Sequence, residues 1–168
     1  MRVRNTVTLL ALLLPLAAAC SGDDGFTVDV SGAYTGQVTN AANSCPGNWN
    51  TGQATDAQAM VAQTNADVSI QVQGGLGLLL QLGFGTNSFS GSLSGTHVDA
   101  HIIGSTQATA GGCQYTFNGG LAGNLAGDNL SGTITYTPKT NNHADCSTMN
   151  IAGCSRVQNF SMDRPTKQ

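Results

Sequence analysis

Asp67-Val68-Ser69-Ile70-Gln71-Val72-Gln73 alternates polar and apolar residues without a break. A period of two places Val68, Ile70 and Val72 on one face of an extended strand and the four polar residues on the other, the pattern of a strand half in a core and half in water. The same step recurs outward in both directions. Toward the N-terminus, Val28, Val30, Tyr34 and Val38 share a face, with Gly32 and Gly36 between them and Asp29, Ser31, Thr35, Gln37 and Thr39 opposite. Toward the C-terminus, Leu76, Leu78, Leu80, Leu82 and Phe84 continue it, followed by Phe89 with Leu93, and by Val98 with Ala100 and Ile102. Cys113 with Tyr115 and Phe117, Leu130 with Ile134 and Tyr136, and Phe160 with Met162 complete the series. Gly/Asn/Asp clusters at 64–67, 85–87, 94–96, 110–112 and 127–129 separate the runs and supply the turns of tight hairpins. Eight or nine antiparallel strands joined in sequence predict an all-β fold, an up-and-down meander closed into a small barrel, because closure removes exposed sheet edges. An open β-sandwich is the alternative.

Composition agrees. The 168 residues include 22 Gly, 19 Thr, 14 Asn and 13 Ser and no Glu, a mixture that disfavours a helical bundle. With a net charge of −3 and no basic stripe, nucleic acid is not an expected partner. An internal echo aligns residues 89–100 with 121–132, matching large apolar residues and glycines, as two copies of one strand-turn-strand unit would.

The first residues have another purpose. Arg2 and Arg4 precede an apolar run at 7–19 that ends in Ala17-Ala18-Ala19, too short to span a bilayer, so residues 1–19 read as a signal peptide. Leu16-Ala17-Ala18-Ala19-Cys20 resembles the lipobox of bacterial lipoproteins, with the departure that Ala17 stands where Leu is usual. The resemblance implies diacylation of Cys20, cleavage before it and anchoring through the acyl chains; an ordinary A-x-A cut leaving Cys20 as a free thiol is the alternative. Residues 20–26 then form a lipidated N-terminus and flexible tether, and residues 27–165 a single barrel domain. Ser21 after the cysteine points to an outer-membrane lipoprotein facing the periplasm or the cell surface. Loss of residues 1–19 leaves 4 basic and 9 acidic side chains, a net of −5, so charge does not hold the chain to anionic lipid.

Setting Cys20 aside leaves Cys45, Cys113, Cys146 and Cys154, enough for two disulfides and three connectivities. Cys146 and Cys154 enclose a short loop that closes easily, which would leave Cys45 for Cys113; strand counting puts Cys45 at the opposite barrel end from the other three. Two long connections, 41–55 with Trp49 and 139–155 with His143, are expected to be pinned by these bonds.

Ser31-Gly32-Ala33-Tyr34-Thr35-Gly36 resembles the G-x-W entry of calycin barrels, the lipocalin and avidin group, with Tyr34 in place of Trp. The resemblance implies a lipocalin-like topology in which a late Arg packs over the entry aromatic. Arg164 shares the parity of Phe160 and Met162 and is the candidate for that contact.

Three further places carry chemistry. His97, Asp99 and His101 alternate onto one strand face, a spacing at which two imidazoles and a carboxylate grip zinc, or at which three polar residues simply face water. Trp49 is a recognition aromatic or a cap on the barrel mouth. Leu79 interrupts the alternation and faces outward as a partner surface, or packs. The chain has no G-x-S-x-G, H-E-x-x-H or phosphate-cradling motif, so no enzyme and no cofactor are expected. The sequence is read as a monomeric, non-catalytic envelope lipoprotein that binds a small apolar ligand or an envelope protein. The alternatives are an inhibitor of an envelope hydrolase such as lysozyme, whose basic surface the −5 charge would attract, and a metal-binding module.

Overall fold

The computed structural model describes residues 28–165. The leader, Cys20 and the whole of the tether lie outside the described residues. Strands β1 (Gly32–Asn43), β2 (Ala54–Thr64) and β3 (Asp67–Gln73) lead into helix α1 (Gly74–Phe84). Strands β4 (Ser88–Ser94), β5 (His97–Ile103), β6 (Ala108–Ala110), β7 (Cys113–Ala126) and β8 (Asn129–Thr140) follow, then a short helix α2 (Ala144–Thr148) and β9 (Arg156–Asp163). All neighbours are antiparallel. The pairing runs β1-β2-β3-β4-β5-β7-β8-β9 and returns to β1, an eight-strand closed barrel; β6 is an extra three-residue strand hairpinned onto β7. The meander is therefore closed, and the sandwich does not form.

The inward side of each strand carries the alternating apolar residues. Val38 on β1, Val61 on β2, Ile70 on β3, Phe89 on β4, Ile102 on β5, Leu121 on β7, Ile134 on β8 and Phe160 on β9 all belong to one buried cluster, and no polar residue is fully buried among the described residues. Several glycines lie between large inward residues, among them Gly36 between Tyr34 and Val38, Gly91 between Phe89 and Leu93, and Gly132 between Leu130 and Ile134. A Cβ would run into the β9 backbone at Gly36, the β5 backbone at Gly91 and the β7 backbone at Gly132. Bare Cα atoms there let the sheet coil tightly enough to close around side chains alone. The echo is also structural. Ser94↔His97 closes the β4–β5 hairpin and Ala126↔Asn129 the β7–β8 hairpin, with Gly95 (φ 60°) and Gly127 (φ 62°) at the same turn position, which needs a positive φ.

Antiparallel pairing gives the barrel two distinct ends. The floor collects the entry to β1, the β2–β3, β4–β5 and β7–β8 turns and the end of β9. There the Arg164 guanidinium lies 5.9 Å from the Tyr34 ring centre, as the calycin resemblance implies. It donates to the carbonyls of Asp29 and Ser31, both at 2.9 Å, and to the Asp128 carboxylate at 3.2–3.3 Å. The Tyr34 hydroxyl donates to the Val30 carbonyl at 3.0 Å, so one arginine and one tyrosine tie the incoming and outgoing chain together.

The mouth collects α1, α2 and the long connections, and here three expectations are corrected. Residues 76–84 are helix rather than strand. Leu76, Leu80 and Phe84, spaced four apart, turn toward the core, while Leu78, Leu79 and Leu82 face away. Leucine is a strong helix former, and Gly85 caps the end with its N–H on the Gln81 carbonyl. Residues 54–64 form a strand that the alternation did not reveal, because its inward residues include the small Ala57 and Ala59.

The third correction concerns the disulfides. The bonds are Cys45–Cys154 and Cys113–Cys146, all at the mouth, and the favoured Cys146–Cys154 loop is not formed. Cys146 sits on α2 facing the β6–β7 hairpin in a small cluster with Cys113 and Ile151. Cys45 follows β1 directly, beside the start of its partner strand β9, and so lies at the same end as the others.

Two outcomes check this description. Arg164→Ala removes a ring contact and several hydrogen bonds and should cost about 2–4 kcal/mol, read as a large fall in melting temperature; an unchanged melting curve would contradict the floor as described. A non-reducing digest should yield one linked peptide pair holding Cys45 and Cys154 and another holding Cys113 and Cys146.

Candidate functional site

Strand β9 presents Arg156, Gln158, Phe160 and Met162 in register, since residues two apart share a face. Phe160 and Met162 are core, whereas Arg156 and Gln158 lie above the core at the mouth. Tyr136 on the neighbouring β8 and Phe117 on β7, one strand further, lie at the mouth as well, and their rings meet Phe84 of α1 at 5.4 and 6.5 Å between centres. The Tyr136 hydroxyl donates to the Gln158 side-chain oxygen at 2.9 Å, and the Gln158 amide donates to Asn40 at 2.8 Å.

The connection after β1 completes the mouth. Cys45–Cys154 fixes its start, the Trp49 indole N–H donates to the Ala41 carbonyl at 3.0 Å, and the Gly52 N–H returns to the Asn40 carbonyl at 2.7 Å. Trp49 is thereby held half-buried against Arg156, whose guanidinium carbon lies 5.4 Å from the indole centre and 5.9 Å from that of Phe117. Between this loop and α1 runs a groove of about 430 Å³, walled by Trp49, Leu79, Phe84, Phe117, Tyr136 and Arg156. The two binding candidates read from the sequence, Trp49 and Leu79, thus meet across one groove. Arg156 and the aromatic wall were not singled out from the sequence. The available signal was that the inward positions of β9 continue in Arg156 and Gln158 beyond its apolar pair.

Arg156 is only partly satisfied. One terminal nitrogen donates to the Pro46 carbonyl at 2.6 Å, Nε is buried without an acceptor, and no carboxylate among the described residues pairs with the guanidinium. Arg164, just past the other end of β9, has Nε and both terminal nitrogens bonded. Below the groove, the barrel interior keeps an apolar void of about 30 Å³ lined by residues such as Tyr34, Ile70, Leu121 and Phe160. That is room for a water or two and not for an organic ligand.

His97, Asp99 and His101 stand on the outer face of β5, with Val98, Ala100 and Ile102 inward. His97 meets Asp99 at 3.1 Å through Nε2 and Asn124 at 3.1 Å through Nδ1, while His101 is exposed. Among the described residues, no group of three His, Cys, Asp or Glu side chains is placed to hold a metal ion. His143 lies elsewhere, at the start of α2 beside Asp145.

No protein-family model matches the chain, and comparison with curated proteins and with solved structures gives no match. The closed eight-strand antiparallel barrel with its Arg164–Tyr34 floor is consistent with a calycin-like barrel at the level of architecture.

Burial pushes the Tyr136 phenol far above its ordinary value; it also raises Tyr34, against the opposing pull of the Arg164 cation. A phenol whose folded pKa exceeds its unfolded value of about 10 lends stability that is complete below that pH and lost as pH rises through the folded value. The melting temperature should therefore fall above pH ~10, and phenolate absorbance from these two rings should grow in step with unfolding rather than before it. Tyr136→Phe should flatten the alkaline decline.

Proposed function

We propose that this chain is an envelope lipoprotein, carried on a diacylated Cys20 to the outer membrane, whose barrel is a rigid non-catalytic stand for a recognition end at the mouth. The observation that carries the reading is polarity along the barrel axis. The chain enters β1 at the floor, so a lipid on Cys20 tethers the floor side, while Leu78, Leu79 and Leu82, 62%, 63% and 66% exposed, project from the mouth. Exposed leucines on a disulfide-pinned end are costly in water unless something covers them. The filled interior favours binding on that surface over binding inside the barrel. A polar, closed floor and an apolar, sculpted mouth divide anchoring from recognition within one small domain.

A second reading is favoured by a different observation, the −5 charge of the chain after residue 19, which would attract a basic envelope hydrolase such as lysozyme. The two separate in one set of assays. Cells fed labelled palmitate should incorporate it into the intact chain and not into Cys20→Ser; absence of label from the intact chain would overturn the membrane anchor. The purified domain should leave lysozyme activity on cell walls unchanged, and stoichiometric inhibition would put the second reading in place of the first.

A further inference from the structure

We infer that the groove between α1 and the Trp49 loop docks a polypeptide segment in which a carboxylate is flanked by apolar side chains, with the Arg156 guanidinium as the anion-binding group. The inference rests on the recognition-end reading above and names the chemistry of its partner.

Charge complementarity is the first support. Arg156 is the cation that lines the groove, and no carboxylate among the described residues pairs with it. One guanidinium nitrogen is used on Pro46, and the buried Nε has no acceptor, an arrangement that costs free energy in the free protein. The Trp49 and Phe117 rings lie 5.4 and 5.9 Å from the guanidinium carbon, so an arriving carboxylate meets a donor group in partly dehydrated surroundings, where a charge-assisted hydrogen bond is strong. Arg164, one residue past the other end of β9, gives the contrast: that guanidinium is bonded through all three nitrogens and is structural.

Shape and extent decide the kind of ligand. A single-chain amphiphile would need depth for its tail, and the interior beneath the groove offers about 30 Å³. It would also leave Leu78 and Leu82 in water, because they face away from the groove that Leu79 lines. A polypeptide lying along the mouth covers the groove and the leucine ridge together. Arg and Trp at its centre are the residue types that dominate such interfaces.

The test uses the chain from Ser21 to Gln168, oxidised, which keeps every described residue. Trp49 is the sole Trp and lines the groove, so its emission reports binding directly. The probes are the blocked peptide acetyl-Leu-Leu-Asp-Leu-Phe-amide, its Asn counterpart of equal size, and dodecanoate. The Asp peptide should shift Trp49 emission saturably and bind at least about tenfold tighter than the Asn peptide, the scale of one charge-assisted hydrogen bond. Arg156→Gln should erase that difference while leaving the weaker Asn-peptide binding in place; if the variant does not fold, the Asp/Asn pair on the unaltered chain decides alone. Equal binding of the two peptides would overturn the role of Arg156 and leave an apolar recognition end standing. Arg156-dependent binding of dodecanoate without peptide binding would overturn the polypeptide as occupant. No saturable response to any probe would overturn the groove as a site, while palmitate labelling of Cys20 would still test the anchor separately.

Discussion

Pairing of the first strand with the last makes everything else possible. β1 runs against β9 from Thr35↔Asp163 to Asn43↔Arg156, with one irregularity near the mouth, and this seam turns a nine-strand sheet into a barrel with a single interior. An antiparallel sheet of short strands rich in Thr, Ser and Gly has little apolar surface per strand, and only closure gives each inward residue neighbours on all sides. The tightness of closure is set by Gly36, Gly91 and Gly132, where neighbouring backbones come too close for any Cβ. The same tightness fills the interior with side chains and leaves a void of about 30 Å³.

Much of this was legible because period-two alternation is a direct consequence of strand geometry. β1, β3, β5 and β8 were found from Tyr34 and Val38, Val68 to Val72, Val98 to Ile102 and Leu130 to Tyr136 without further information. The number of alternating runs matches the number of barrel strands because two departures offset each other, a strand without alternation and a helix with it. In β2, the inward Ala57 and Ala59 are too small to stand out from their polar neighbours. In α1, Leu76, Leu78, Leu80 and Leu82 satisfy a period of two as well as a helical face; the uninterrupted Leu78-Leu79-Leu80 was the sign that both sides of the element are apolar. The disulfides depart from the short-loop expectation for a physical reason. Short loops close cheaply in a free chain, but the closed barrel sets the neighbours, and β1–β9 pairing places Cys45 beside Cys154.

The candidate site was half visible. Trp49 and Leu79 were marked as an unusual aromatic in a pinned loop and a leucine out of phase, and the structure sets them across one groove. Arg156 was missed because a lone arginine at the end of a strand reads as an ordinary solvated charge until its surroundings are known. Along its inner face β9 reads Arg156, Gln158, Phe160, Met162, with Arg164 one step beyond: a basic group at each end of an apolar centre. One arginine is consumed in joining the chain to itself, and the other is held open by aromatic walls.

The two disulfides are nested, first cysteine of the domain to last and second to third. In a chain that becomes available N-terminus first, Cys45 and then Cys113 meet an oxidant before Cys154 does. Oxidation in order of appearance joins the wrong pair and ties the end of β1 to the start of β7, strands that are not neighbours in the barrel. The native Cys45–Cys154 bond joins two residues that only the β1–β9 seam brings together, so nested pairing waits for the last strand or is reached by thiol–disulfide exchange.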